Sequence, residues 1–76
     1  DVVVVDPPRS GLDSTTIKRI LDSRIERLIY VSCNPITLAR DINILKDKYN
    51  LVGMSLFDMF PNTSHAECVC LLEKRL

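Results

Sequence analysis

Three short segments carry side chains that can do chemistry. Cys33 stands in "VSCNPITLARD", Glu67 follows His65 in "SHAECVC", and Asp6 and Arg9 stand in "VVVVDPPRSG". Free cysteine is among the most buried residue types, so Cys33 can be a core thiol. It also directly precedes Asn34 and Pro35, an N-cap followed by proline at the first helical position. The positive end of a helix dipole favours negative charge on the sulfur, which opens a nucleophile reading. Glu67, near the start of an apolar run, is either a solvated rim carboxylate or a general base. His65 can orient Glu67, contact a substrate, or simply be a satisfied polar residue. Asp6 either makes a turn with Pro7 and Pro8 or meets a ligand, and Arg9 can pair with Asp6 or with phosphate.

Cys68 and Cys70 alternate along one strand-like run and share a face with Ala66 and Leu72. A C-x-C pair with neither a C-x-x-C partner nor paired histidines is a weak metal signal. Both are expected in the core, and no metal is expected in this segment.

The elements that must position these residues follow from local pattern. Val2 to Val5 form an all-apolar run ended by two prolines, which predicts a strand covered on both faces. Asp13 or Ser14 can cap a helix carrying Ile17, Ile20 and Leu21. Glu26 to Ser32 is a second strand. The helix opened by Asn34 and Pro35 has Leu38, Ala39, Ile42, Leu45 and Tyr49 on one stripe, with Arg40, Asn43, Lys46 and Asp47 outside it. Leu51 to Phe60 and His65 to Arg75 are a third and a fourth strand, joined by a short loop. This order is that of an α/β sheet with crossover helices and a last strand running antiparallel. Ligands of such sheets lie beyond the carboxyl ends of the parallel strands. Asp6 to Arg9, Cys33 with Asn34, Asp58 to Pro61 and His65 to Glu67 are all expected on that one rim.

Composition narrows the partners. Ten basic residues balance ten acidic ones among 76, so the chain lacks the basic footprint of a stand-alone nucleic-acid binder. At 46% hydrophobic it has the apolar content of a folded chain, and it reads as one unit over residues 1–76. No apolar stretch approaches the ~20 residues of a membrane span. An odd number of cysteines, three, without framework spacing fits a reducing compartment, the cytoplasm. The opening, without Met or a leader-like segment, reads as a strand inside a longer protein.

Taken together, "DPPRSGL" (Asp6 to Leu12), "YVSCNPITLARD" (Tyr30 to Asp41) and "DMFPNTSHAECVCLLEK" (Asp58 to Lys74) resemble the C-terminal part of the RNA uracil-C5-methyltransferases. The likeness covers nearly the whole chain, with the motifs in the same order. That family makes 5-methyluridine in tRNA and rRNA from S-adenosylmethionine. The resemblance implies Cys33 as the nucleophile and Glu67 as the base, with Asp6 on the cofactor or target-base side. Arg9, Asn34 and His65 would be supports.

It also implies a fold: the C-terminal half of a Rossmann-like methyltransferase sheet, with three parallel strands, crossover helices and a final antiparallel strand. In the family the glycine-rich loop, most S-adenosylmethionine contacts and the RNA-binding domain come earlier in the chain, as do the iron–sulfur cysteines of some members. This segment is therefore expected not to turn over alone. Two other readings stay open. An amino-group methyltransferase shares "DPP" but usually has an aromatic residue where Arg9 stands, and a non-catalytic assembly module would need neither Cys33 nor Glu67.

Overall fold

The computed structural model describes residues 2–57 and 67–75, with the backbone only at Phe57. Among them are β1 (Val2–Val5), α1 (Ser14–Asp22), β2 (Arg27–Ser32), α2 (Pro35–Leu45), β3 (Tyr49–Phe57) and β4 (Glu67–Lys74). The strands form one sheet in the order β1-β2-β4-β3. β1 and β2 pair in parallel, whereas β4 lies antiparallel between β2 and β3. The two last strands are thus direct neighbours, and β3 runs in the same direction as β2 without touching it.

Local chemistry explains the helix boundaries. Asp13, not Ser14, caps α1: its carboxylate accepts from the Thr16 N–H at 2.7 Å. That bond holds the Asp13 carboxyl below its ordinary range. Ile17 and Ile20 are buried from α1, and Leu38, Asp41 and Leu45 from α2. These meet Leu28, Tyr30, Cys68, Cys70 and Leu72 in a single core between the helices and one sheet face.

Two expectations need correcting. Tyr49 is not on the helical stripe, because α2 ends at Leu45 and a turn follows; Tyr49 opens β3, two residues earlier than the apolar run suggested. Its ring is buried and its hydroxyl donates to the Ile25 carbonyl at 2.7 Å. Nor, among the described residues, is β1 covered on both faces. Val3 and Val5 pack on the core, but Val2 and Val4 are 51% and 60% exposed. Both described helices lie on the same side, so no described element covers the side bearing Val2 and Val4.

Candidate active site

The sheet order brings the ends of β1 and β2 and the start of β4 side by side. Asp6 follows Val5, which pairs with Tyr30, and it is exposed at the rim. The β2–β4 register closes with Ser32 opposite Cys68. One residue further on, β2 reaches Cys33 and β4 reaches Glu67. Each therefore stands one step beyond the last paired residues of two neighbouring strands. Both Cys33 and Glu67 are half-buried, and Cys33 is a free thiol.

The turn at Cys33 is closed from both sides. The buried Ser32 hydroxyl donates to the Asn34 carbonyl at 2.8 Å, and Ser32 Oγ accepts from the Asn34 N–H at 3.0 Å. Asn34 Oδ1 then accepts from the Ile36 N–H at 3.0 Å and caps α2. Asn34 Nδ2 reaches back to the Arg9 carbonyl at 2.9 Å. A cysteine on such a strand-to-helix turn has its backbone fixed by neighbours on each side, next to the positive end of the helix.

The loop between β1 and α1 is bound to α2 through its backbone. Thr37 Oγ1 donates to the Arg9 carbonyl at 2.9 Å, and Arg40 Nη2 donates to the Ser10 carbonyl at 2.8 Å. The Leu12 N–H donates to Asp41 Oδ2 at 2.8 Å. Asp41 has no exposed surface, yet its carboxylate is satisfied: Tyr30 Oη donates to Oδ2 at 2.6 Å and Arg40 pairs with Oδ1 at 3.1 Å. Burial and the bond to Asp41 push the Tyr30 phenol up, so it stays a proton donor. Gly11 adopts φ +83° here, and its N–H donates to the Pro8 carbonyl at 2.9 Å. A Cβ at Gly11 would sit 2.6 Å from Arg40 Nη2 and 2.7 Å from Asp41 Oδ2.

The candidate residues therefore divide. Asp6, Arg9, Cys33, Asn34 and Glu67 are placed on one rim or the loop beside it. His65 and the Asp58 to Pro61 cluster lie outside the described residues. Arg9 is exposed, and among the described residues its guanidinium pairs with no carboxylate; its backbone carbonyl is what α2 holds. Cys68 and Cys70 are core thiols, their sulfurs 3.7 Å apart, and burial pushes the Cys70 thiol up to about 12. Among the described residues no group of three His, Cys, Asp or Glu converges as metal ligands, and no helix is long and apolar enough to cross a membrane.

Sequence reasoning overlooked Arg40 and Asp41 as a unit. Asp41 lies three residues after Leu38 and four before Leu45, so a charged residue stood on the core-facing stripe in plain view. At Gly11 the side a Cβ would take leaves no room for a nucleotide-like cofactor. The space beside Gly11 is taken by Arg40 and Asp41, and Gly53 faces Leu71 in the sheet. Asp6 is the one described candidate for a cofactor contact at the rim.

Comparison with known proteins follows the same residues. Residues 1–75 match the family model described as tRNA (Uracil-5-)-methyltransferase. Over 75 residues the chain is 53% identical to an uncharacterised RNA methyltransferase of Listeria innocua, covering 99% of this chain and 16% of that protein. It is 47% identical over 75 residues to an uncharacterised RNA methyltransferase of Bacteroides thetaiotaomicron, again covering 99% and 16%. The crystal structure of a Pyrococcus abyssi tRNA (uracil-54, C5)-methyltransferase in complex with S-adenosyl-L-homocysteine superposes with a TM-score of 0.87 at 44% identity, covering 95% of this chain and 18% of that one. The chain spans about a sixth of the length of the curated relatives it matches.

Proposed function

The chain belongs to the tRNA (uracil-5-)-methyltransferase family, and we propose that it is the C-terminal catalytic segment of an RNA (uracil-5-)-methyltransferase, with Cys33 as nucleophile and Glu67 as base. The observation that carries this is the register of β2 and β4. Cys33 and Glu67 are each one residue beyond the last Ser32–Cys68 pair, and Cys33 sits in a turn locked by Ser32 and Asn34.

The chemistry calls for both groups. C5 of uracil is a weak nucleophile. When the Cys33 thiolate adds to C6, the C5–C6 π pair moves into an enolate and makes C5 electron-rich. S-adenosylmethionine, bound mainly by residues outside this segment, supplies an electrophilic methyl group and leaves as the thioether. Glu67 then takes the C5 proton; the released pair restores the C5–C6 double bond and expels the Cys33 thiolate. Asp6 faces the cofactor or target base, with Arg9, Asn34 and His65 as supports. The sheet is the C-terminal half of a Rossmann-like methyltransferase domain, and the substrate is tRNA or rRNA in the cytoplasm. The isolated segment holds the nucleophile and the base but does not turn over.

Glu67→Gln in the full-length protein tests the assignment. With S-adenosylmethionine and uridine-containing RNA it should accumulate a covalent protein–RNA adduct already carrying the methyl group. Release of 5-methyluridine at the parent rate would remove Glu67 from the base role.

A further inference from the structure

Asp41 is a carboxylate without exposed surface on the core side of α2, a costly place for a charge. A packed apolar residue of similar size is often neutral or stabilising in place of such a pair. What the Arg40–Asp41 pair holds, though, is backbone of the β1–α1 loop. Asp41 accepts from the Leu12 N–H, and Arg40 Nη2 donates to the carbonyls of Ser10 at 2.8 Å and Leu12 at 3.3 Å. Those contacts cross 28 to 30 residues of sequence. The same helix carries at its first turn the Asn34 cap that sets Cys33.

We infer that Asp41 and Arg40 are positioning residues, which lock the loop bearing Asp6 and Arg9 to the helix that fixes Cys33, so that both sides of the rim keep one spacing. This rests on the proposed roles of Cys33 and Asp6. Tyr30 completes the lock from β2: its hydroxyl donates to the oxygen that also accepts from Leu12. The Cys33 turn itself is closed by Ser32 and Asn34, which bond neither Arg40 nor Asp41. Asn34 and Thr37 hold the loop at the Arg9 carbonyl, so loosening the lock should shift its Ser10–Leu12 part, and with it the path of the loop, relative to a nucleophile that stays in place. A misplacement of about 1 Å at a distance from the chemistry can cost roughly 100-fold in rate.

The test uses the full-length protein, with Asp41→Asn and Arg40→Lys compared with the parent. Arg40 is half-exposed, so Arg40→Lys keeps the charge and the fold even where Asp41→Asn unfolds. At saturating RNA and S-adenosylmethionine, well below the melting temperature, kcat should fall roughly 10- to 100-fold. Melting temperature in Arg40→Lys should stay near the parent's. Values of kcat within about twofold of the parent in a folded variant would overturn the positioning role. A fall in kcat that merely tracks the folded fraction would overturn it too. The parent is also incubated with RNA carrying 5-fluorouridine. A parent that methylates RNA yet forms no adduct through Cys33 would overturn the underlying reading, a result distinct from either of these.

Discussion

Gly11→Ala should be among the most damaging single-methyl changes this chain can suffer. Two costs combine. Gly11 has φ +83°, where a Cβ costs about 1–2 kcal/mol. The new methyl would also lie 2.6 Å from Arg40 Nη2, 2.7 Å from Asp41 Oδ2 and 3.0 Å from Thr37 Cβ. Asp41 cannot yield without breaking its bonds to Leu12 and Tyr30, so forced repacking adds about 1–3 kcal/mol. The expected loss of ~2–5 kcal/mol is a large part of the roughly 4–11 kcal/mol that a chain of this length holds in total. In urea, with a slope near ~1 kcal/mol per molar, the midpoint should drop by ~2 M or more. Gly53→Ala is the internal control, because its Cβ would meet only Leu71 Cβ at 3.8 Å. It should change stability by less than ~1 kcal/mol. Equal losses for the two, or a loss below ~1 kcal/mol at Gly11, would refute the account of that loop.

Other expectations follow from the same contacts. Asn34→Ala removes both the α2 cap and the bond to the Arg9 carbonyl, for a cost of roughly 1–3 kcal/mol in urea melts. Asn34→Asp should recover the cap portion alone, since its side chain still accepts from Ile36 but cannot donate to Arg9. One pH dependence lies on the alkaline side. The Cys70 thiol is raised from 9.0 to about 12 in the fold, so the unfolded chain loses that proton first. Stability should be complete below about pH 9 and decline as pH rises towards 12, with Tyr30 adding to the decline above pH 10. Cys70→Ala should flatten the first part of that decline in denaturation midpoints taken across pH 8 to 12; an unchanged slope would contradict it.

Much of this was legible in the sequence because the signals were local. The Asn34–Pro35 start, the caged apolar runs and the short link between the last strands fixed the helix boundary, the strand directions and the rim shared by Asp6, Cys33 and Glu67. Tyr49 was misplaced because its spacing fits the α2 stripe, whereas the helix had already ended and a long-range bond to Ile25 decides its place. The apolar face of β1 suggested cover on both sides, a matter of layers the described residues do not supply. The Arg40–Asp41 lock depends on contacts nearly thirty residues apart, which periodicity alone does not reveal.

The central claim, attack by Cys33, is tested most directly with the full-length protein and RNA in which 5-fluorouridine replaces the target uridine. Fluorine at C5 leaves no proton for Glu67 to remove, so elimination stops and the protein should stay bonded to the RNA through Cys33. Peptide mass spectrometry should find the nucleotide on the Cys33 peptide, and Cys33→Ser should abolish the adduct. An adduct that persists in Cys33→Ser, or maps to Cys68 or Cys70, or never forms with an actively methylating protein, would contradict the account.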